Sequence, residues 1–346
     1  MSALILSLTP CVEPALWTGR RGRGSVEKVS HAMTEMDRFD LKASALPVTP
    51  VAAMEPCEPE LAEPFAVIRP KRPTNPLVVS SPHSGSIYPA RFVEASQLDA
   101  LTLRRSEDAH VDRLLDHAPD LGSVFMKAHF PRAYVDVNRE PYELDPRMFD
   151  GPLPSFVNAR SLRVAGGLGT IARVVGEAKD IYPRKLPVAE AFRRIDALYV
   201  PWHRTLRGLL SEAHRAYGQA VLIDFHSMPS NAGRAERIKA DIVLGDRFGT
   251  SCDPAIMEAA DATLRALGYQ VARNKPYAGG FITEHYGDPM QGWHALQIEI
   301  NRALYMDEAT LDLLATFDEL RRHLREMLCA VIEVVDGSRD QALAAE

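Results

Sequence analysis

The stretch AVLIDFHSM, residues 220–228, decides the fold of this chain. Its apolar run at 221–223 predicts a buried strand. Asp224, His226 and Ser227 follow at the carboxyl end of that strand. Because open α/β sheets bind ligands beyond the carboxyl ends of their strands, we expect a binding or catalytic site here.

Similar apolar runs alternate along the chain with stretches of helical spacing. The predicted strands are at 77–81, 123–127, 133–137, 241–244 and 295–301, and the predicted helices are at 106–117, 187–217, 254–267 and 308–335. The second of these helices is expected to be interrupted or kinked at Pro201, which cannot donate a backbone hydrogen bond. The alternation predicts an α/β fold, with helices on both faces of a sheet.

The composition is that of an ordinary globular protein, with 46% hydrophobic and 25% charged residues among 346. The net charge of −6 argues against nucleic acid as a partner, because phosphate backbones recruit clustered lysines and arginines. A small-molecule partner is favoured instead. No apolar run approaches the ~18 residues that a membrane helix needs, so no membrane role is expected. The composition leaves the oligomeric state open.

The cysteines and the start of the chain both favour a cytoplasmic protein. The four cysteines are scattered and form no C-x-x-C pair, which is typical of neither a disulfide framework nor a thiolate zinc site. Basic residues follow the short apolar start instead of preceding it, the reverse of a secretory signal. Residues 1–75 are predicted to be a poorly ordered or loosely packed lead-in, 76–338 a single domain, and 339–346 a tail.

Polar side chains suited to chemistry accompany other predicted strands as well. His83 comes shortly after the first strand, and Asp136, Asn138 and Arg139 lie at the end of the third. Glu299 lies inside the last predicted strand. The convergence of several such residues is a stronger signal than any one of them alone.

Two histidines and a carboxylate suit Zn²⁺, which leaves one position open for water in catalytic sites. His83 and His226 are therefore candidate ligands, although a lone histidine more often serves the backbone. The third ligand is expected from Asp108 or Glu107, or from Asp224 beside His226. The alternative for residues 107 and 108 is that they stabilise the first turn of the predicted helix through its dipole.

The other groups of a zinc hydrolase can be assigned too. Glu299 lies among apolar residues, where a buried carboxylate needs a partner, and it could accept a proton from metal-activated water. Arg132 could stabilise the oxyanion that develops. Arg139 beside Asn138 suits bidentate binding of a substrate carboxylate, unless it pairs with an acidic neighbour.

Two further features are less specific. His285 and His294 could contact the substrate, orient other site residues, or be structural. GGLGT at 166–170 could cradle phosphate ahead of a possible helix at Ile171, but no strand clearly precedes it and the Gly-Lys-Ser/Thr of a nucleotide loop is missing. Glycine there is expected to serve a turn.

Six segments of the chain form a joint pattern. They are SSPHSGSIYP at 80–89, SEDAHVD at 106–112, PRAYVDVNRE at 131–140, RVAGGLGTIARVV at 163–175, IDFHSMP at 223–229 and HALQIEINRALYMDE at 294–308. Together they closely resemble the N-formylglutamate amidohydrolase family. The resemblance implies a hydrolase with one Zn²⁺ per chain that splits N-formyl-L-glutamate into formate and glutamate, a step of histidine breakdown.

That family is in turn similar to the aspartoacylase and metallocarboxypeptidase superfamily. The similarity implies a mixed, mostly parallel twisted sheet of about eight strands flanked by helices, a metallocarboxypeptidase-like (phosphorylase/hydrolase-like) fold. Four features of the superfamily have counterparts here. Its D-x-H strand end resembles Asp224 to His226, and its Asn-Arg pair resembles Asn138 and Arg139. An upstream arginine resembles Arg132, and a glutamate in a late strand resembles Glu299.

One position departs from the superfamily pattern. The first histidine of the superfamily is followed three residues later by a glutamate ligand, whereas this chain has Ser86 there. Serine is a poor zinc ligand. We therefore expect His83, Asp108 and His226 to bind the metal, with Asp108 preferred over Glu107.

The other site residues are expected to have three roles. Glu299 and Arg132 are assigned to catalysis, Asn138, Arg139, His285 and Ser84 to substrate binding, and Asp224 and Asp136 to orienting the metal-binding residues. Two alternatives stay open at this point. The chain could hydrolyse another N-acyl amino acid, or it could be a non-catalytic ligand-binding protein with the same fold.

Overall fold

The computed structural model of the chain describes residues 58–233 and 238–345. The strands are β1 (Phe65–Ile68), β2 (Leu77–Ser81), β3 (Val124–Ala128), β4 (Phe149–Asp150), β5 (Val174–Val175), β6 (Lys179–Asp180), β7 (Leu186–Pro187), β8 (Ala220–Met228), β9 (Ile242–Gly245), β10 (Val271–Arg273) and β11 (Trp293–Asn301). The α-helices are α1 (Ala90–Ala95), α2 (Ala100–Arg104), α3 (Val111–Leu114), α4 (Leu162–Ala165), α5 (Val188–Arg194), α6 (Val200–Tyr217), α7 (Pro254–Ala266), α8 (Phe281–Tyr286) and α9 (Phe317–Ala345).

Seven of these strands form one sheet in the order β1-β3-β2-β8-β11-β9-β10. The pairs β3/β2, β2/β8, β8/β11 and β9/β10 are parallel, and β1/β3 and β11/β9 are antiparallel. The prediction of a mixed, mostly parallel sheet flanked by helices is confirmed, with seven strands in the described residues where about eight were expected. None of the described helices has the length and hydropathy to cross a bilayer.

Apolar side chains cover both faces of the sheet. One layer contains Trp202 and Leu206 of α6, and the other contains Leu264 of α7 and Met327 of α9. Because both faces are covered, all nine residues of β8 are buried. This explains why the strand appears in the sequence as a continuous apolar run interrupted only by functional groups.

The alternation of side chains along β8 decides which face carries the site. Leu222 belongs to the α6 layer, whereas Val221 and Ile223 belong to the layer of α7 and α9. Since successive side chains of a strand point to opposite faces, Asp224 and His226 lie on the α6 face. Two polar residues two positions apart are thereby directed to the same side of the sheet.

Several predicted elements differ from the structure. The helix predicted at 106–117 is a single turn, α3, because His110 has a left-handed backbone with φ 65° just before it. The helix predicted at 308–335 begins only at Phe317 and extends through residues assigned to a tail. The helix predicted at 187–217 is continuous from α5 to α6 through a π-helical turn, Ile195–Tyr199, directly before Pro201. The wider turn accommodates the missing proline donor, so the helix changes its type before Pro201 and is not interrupted there.

The strand predicted at 133–137 is also wrong. This segment is irregular, and its backbone N–H groups are used elsewhere: Tyr134 and Val135 donate to Pro131 O, and Asp136 donates to Thr170 O. The apolar side chains of the segment are buried in the α6 layer. A buried irregular segment has the same composition as a buried strand, and the sequence does not separate the two.

Several elements were not predicted. The short helices α1, α2, α4 and α8 fall in stretches without a sustained period, and β10 is only three residues long. β1 lies in the predicted lead-in but pairs with β3, so residues after 64 already contribute an edge strand to the sheet. Residues 1–57 of the lead-in lie outside the described residues, and the remaining domain boundaries stay predictions.

Candidate active site

Two central parallel strands and the turn after β2 present the polar side chains. In the pairing of β8 with β11, His226 lies opposite Glu299 and Asp224 lies opposite Gln297. His83 follows two residues after the end of β2, which is the other neighbour of β8. Asp108 is brought beside it because its backbone N–H donates to His83 O at 3.0 Å.

His83, Asp108 and His226 form one tight buried cluster that could hold a metal ion. His226 Nδ1 lies 3.1 Å from His83 Nδ1 and 3.2 Å from Asp108 Oδ2, and His83 Nδ1 lies 3.3 Å from the same oxygen. The three residues are 1%, 0% and 2% exposed in chain order. Four ligands at about 2.0–2.1 Å and tetrahedral angles stand roughly 3.3 Å apart, so these spacings suit a zinc site.

The far nitrogens of both imidazoles explain which atoms face the cluster. His83 Nε2 lies 2.7 Å from Asp136 Oδ1, and His226 Nε2 lies 2.8 Å from Asp224 Oδ2. A neutral imidazole carries one N–H, and a carboxylate can only accept, so each Nε2 donates and each Nδ1 keeps a lone pair. Three acceptor atoms then converge, an arrangement that can accept a cation.

The electrostatics of the cluster point the same way. Burial opposes a positive charge on His226, but Asp224 and Asp108 outweigh it and raise the pKa of the imidazole to about 10. The surroundings thus stabilise a cation at this place, whether it is a proton or a metal ion. The donor set of two nitrogens and one carboxylate oxygen is one that zinc accepts.

The choice of the third candidate ligand is decided by what binds its competitors. The Glu107 carboxylate forms a bidentate ion pair with Arg104, with N···O distances of 2.9 and 3.1 Å. The Asp224 carboxylate accepts from His226 Nε2, on the side of the ring that faces away from the cluster. Asp108 alone of the three points Oδ2 into the cluster, while its Oδ1 accepts from Ser227 Oγ at 3.0 Å.

Arg302 completes the surroundings of Asp108 and was not predicted. Its guanidinium donates to Ser227 Oγ at 3.0 Å and to Glu107 O at 2.6 Å, and it lies 3.3 Å from Asp108 Oδ1. The residue directly follows β11, so the same search for polar groups at strand ends could have found it. Arg302 leaves only one oxygen of Asp108 free to face the two histidines.

Glu299 lies next to the cluster in a position suited to proton transfer. It is 9% exposed, and its Oε1 accepts from Gln297 Nε2 at 2.8 Å. Burial raises the pKa of Glu299 to about 7, with Asp108 acting in the same direction and His226 opposing it. A carboxyl group with a pKa near neutrality can both take up and release a proton under physiological conditions.

A cavity of about 580 Å³ opens beside the cluster. One part of its wall includes His83, His226 and Glu299, and another includes Arg163, Gly166, Leu168 and Gly169. The glycine-rich segment follows α4, and no helix begins at Ile171, so the phosphate-loop alternative has no support. The segment instead forms part of the cavity wall.

Arg132 and Arg139 both line this cavity and share one carboxylate. Arg132 donates to Asp136 Oδ2 at 2.8 Å, and an Arg139 amino nitrogen lies 3.5 Å from the same oxygen. Arg139 also donates to the carbonyls of Leu168 and Asn138, each at 2.8 Å. The ion pair with Asp136 considered from the sequence therefore exists, but it is long and leaves most of the Arg139 charge uncompensated.

Asn138 lines the cavity but has both ends of its amide in use. Its Oδ1 accepts from Ile282 N at 2.8 Å, and its Nδ2 donates to Gln297 Oε1 at 3.5 Å. The amide thereby holds α8 against β11. Gly280 is required at the start of α8, because a Cβ there would come within 2.4 Å of the Asn138 amide.

Three other residues considered from the sequence are not among the residues that line the cavity. His285 stacks on Phe281 within α8, with ring centroids 5.0 Å apart, and does not line the cavity. Ser84 accepts from Asp112 N at 3.1 Å and so serves the start of α3. His294 accepts from Asp253 N at 3.3 Å and serves the start of α7.

Comparisons with known proteins show the family of the chain. The sequence profile of the N-formylglutamate amidohydrolase family matches residues 75–306. The chain belongs to this family. N-formylglutamate deformylase of Pseudomonas aeruginosa PAO1 is 33% identical over 243 residues, which are 69% of this chain and 85% of that protein. The deformylase of Pseudomonas putida is 31% identical over 240 residues, 67% of this chain and 82% of that protein.

Solved structures extend the family comparison to the fold. The crystal structure of N-formylglutamate amidohydrolase from Ralstonia eutropha JMP134 has a TM-score of 0.74 and 38% identity, and the match covers 80% of this chain and 99% of that one. A gene product of Agrobacterium tumefaciens, at 18% identity and a TM-score of 0.58, shares the fold. The resemblance drawn from the six sequence segments is confirmed, as is the class of amide-bond hydrolase.

Proposed function

We propose that this protein is a zinc-dependent amidohydrolase that cleaves the formamide bond of N-formyl-L-glutamate to formate and L-glutamate. The observation that carries the proposal is the convergence of His83 Nδ1, His226 Nδ1 and Asp108 Oδ2 beside the buried Glu299. The names of the Pseudomonas and Ralstonia relatives support the substrate. We further propose that the reaction serves histidine breakdown in the cytoplasm, as the family resemblance implies.

In this proposal His83, Asp108 and His226 hold the zinc ion, and Asp136 and Asp224 orient the two imidazoles from their far sides. Bound zinc would supply Lewis acidity and lower the pKa of its water toward ~7. Arg302 and Ser227 keep Asp108 in a single orientation. Asp136, Asp224, Arg302 and Ser227 thus fix the positions of the three ligand atoms.

Glu299 handles the proton in this scheme. It accepts one proton from the attacking water and later donates it to the nitrogen that leaves as the amine of glutamate. Oxygen is added to the formyl carbon, and the carbon–nitrogen bond breaks. Arg132 stabilises the negative oxygen that forms between these two steps.

The substrate has two carboxylates, and Arg139 binds the one that is closer to the formamide. Its guanidinium lines the cavity and is only partly neutralised by Asp136. Asn138 positions Arg139 and α8, because its carbonyl accepts from the one and its side chain from the other. The proposal assigns no substrate contact to His285 or Ser84, whose side chains serve the protein itself.

The proposal is tested by formate release from a panel of N-acyl amino acids. The panel includes N-formyl-L-glutamate, N-formyl-L-aspartate and N-acetyl-L-aspartate, each with the purified protein, the chelated protein and the protein reloaded with zinc. We expect formate from N-formyl-L-glutamate above all, loss of turnover with chelator and recovery with zinc. No formate from either N-formyl compound would overturn the proposal, and unchanged turnover after complete zinc removal would overturn the role of the metal.

Glu299→Gln tests the proton transfer separately. Because the amide cannot accept the proton of water, we expect kcat to fall by about 10²–10⁴-fold. Zinc content, measured by atomic absorption, should stay at one per chain. Glu284→Gln, the same change at a carboxylate on the surface of α8, is the matched control and should leave kcat unchanged. Near wild-type turnover of Glu299→Gln would refute the role.

A further inference from the structure

The cavity wall carries a further arginine, Arg163. It lies in the single-turn helix α4, its side chain is 37% exposed, and it lines the cavity. It forms an ion pair with Glu143, whose Oε2 lies 3.9 Å away, too far for a hydrogen bond. Because this ion pair is long, the guanidinium donors of Arg163 are available to an anion in the cavity.

Arg163 and Arg139 are held in place by the same short segment. Leu168 N donates to Arg163 O at 2.8 Å, and Leu168 O accepts from Arg139 Nε at 2.8 Å. Gly169 lets this segment pack tightly, because a Cβ there would come within 2.0 Å of Glu143 O. One turn thus contacts the backbone of Arg163 and the guanidinium of Arg139, both of which line the cavity.

Positive charge is concentrated around Arg139. Burial lowers the pKa of Arg139, and although Asp136 and Glu143 oppose this, Arg132 and Arg163 add to it, so the pKa stays lowered. Asp136 is already shared among Arg132, Arg139 and His83. A cavity with excess positive charge and low-dielectric walls attracts anions, and a ligand with two carboxylates would neutralise both arginines.

The two carboxylates of a glutamate derivative lie at different distances from its formamide. The α-carboxylate is one carbon from the formamide nitrogen, and the side-chain carboxylate is three carbons away. Arg139 is linked to His83 through a single residue, Asp136, so it suits the near carboxylate. Arg163 also lines the cavity but is connected to Arg139 through Leu168 and has no contact with Asp136, so we assign it to the far carboxylate.

We propose that Arg163 binds the side-chain carboxylate of the substrate and makes the enzyme selective for N-formyl dicarboxylic amino acids. This inference rests on the proposed function and deepens it by assigning the residue that sets specificity. Arg163 takes no part in bond breaking. Its contribution is therefore expected in KM and in the choice between substrates.

The test compares N-formyl-L-glutamate with N-formyl-L-glutamine, which has the same shape and a neutral side chain. We expect the wild type to prefer the glutamate compound by roughly 10- to 100-fold in kcat/KM, the usual value of a hydrogen bond to a charged group. Arg163→Gln should remove this preference by raising KM for the glutamate compound alone. Arg163→Lys should keep part of it.

Controls separate specificity from a general loss of function. Arg160→Gln removes an exposed arginine of the same segment and should keep the wild-type preference. Calorimetric titration of L-glutamate and L-glutamine into each protein gives a second measurement that does not need turnover. Wild-type binding should favour L-glutamate, and Arg163→Gln should bind both alike.

Two results would overturn the inference. One is an unchanged glutamate-to-glutamine ratio in Arg163→Gln, and the other is an equal loss of kcat/KM for both substrates. In either case formate release by the wild type would leave the proposed function standing. If the wild type released no formate, the proposed function would fail, and the titrations alone would decide whether Arg163 selects a dicarboxylate.

Discussion

The two ends of the cavity are built in different ways. At the metal end, His83, Asp108 and His226 come from the central strands and an adjoining turn, and each is held by a buried partner. At the other end, Arg139 comes from an irregular segment and Arg163 from the single-turn helix α4, and both have long ion pairs. Metal binding and proton transfer require ligand atoms fixed within tenths of an ångström, whereas carboxylate recognition tolerates more freedom.

This contrast explains how one sheet could serve related substrates. The connections after the strands can change without disturbing the central pairing of β8 with β11. Changes at the metal end should therefore affect turnover and metal content, and changes at the arginine end should affect KM and specificity. Three experiments sharpen or break this division.

The largest effect is expected from His226→Ala at the metal end. Loss of one of three ligands should remove most bound zinc and reduce kcat by at least ~10³-fold, because the water is no longer activated. Zinc content is measured by atomic absorption and turnover by formate release. His294→Asn, a buried histidine of β11 on the other side of the sheet, is the control and should retain zinc. Full zinc occupancy in His226→Ala would remove this residue from the ligand set.

A smaller effect is expected from Arg302→Met. Asp108 would lose one hydrogen-bonded neighbour, so zinc affinity should fall by about 10- to 100-fold, as is usual for groups that orient metal ligands. Affinity is measured by competition with a chromophoric chelator. Ser227→Ala removes a single hydrogen bond to Asp108 and should weaken zinc less. Arg322→Met changes an exposed arginine of α9 and should have no effect. Wild-type affinity in Arg302→Met would contradict the positioning role.

The smallest effect is expected from a change at His203, a buried residue of α6 that contacts two other segments of the chain. Its Nε2 donates to Val137 O at 2.9 Å, beside Asn138, and its Nδ1 lies 3.0 Å from the Tyr286 hydroxyl of α8. Burial, aided by His285, lowers the pKa of His203 from 6.5 to about 3. The unfolded chain therefore binds a proton below pH 6.5 that the folded chain does not bind.

Stability from a neutral His203 is thus present above pH 6.5 and is lost as the pH falls toward 3. Between pH 7 and pH 5 this residue should lower the free energy of unfolding by about 2 kcal/mol. Urea unfolding of the wild type and of His203→Gln at both pH values measures the difference. The variant should be less stable at pH 7 but should lose about 2 kcal/mol less on acidification. Identical pH dependence of the two proteins would contradict the low pKa.

Most errors of prediction lie where local sequence does not reveal its surroundings. The segment at 133–137 is apolar because it is buried, and it was predicted as a strand although its N–H groups are satisfied by Pro131 and Thr170. The helical spacing at 106–117 is real, but the left-handed backbone at His110 limits it to one turn. Arg163 was not singled out because a charged residue in a glycine-rich stretch has no periodicity to mark it.

The sequence by itself determined the α/β class, the strand AVLIDFHSM and the set of histidines and carboxylates that accompany its neighbours. It could do so because burial on both faces demands apolar runs, and polar residues within such runs are costly unless they have a function. Only the tertiary structure decided that Asp108 faces the histidines while Glu107 pairs with Arg104. The pair of Glu107 with Arg104 is local, but the contact of Asp108 with His226 joins residues 118 positions apart, and no local pattern records it.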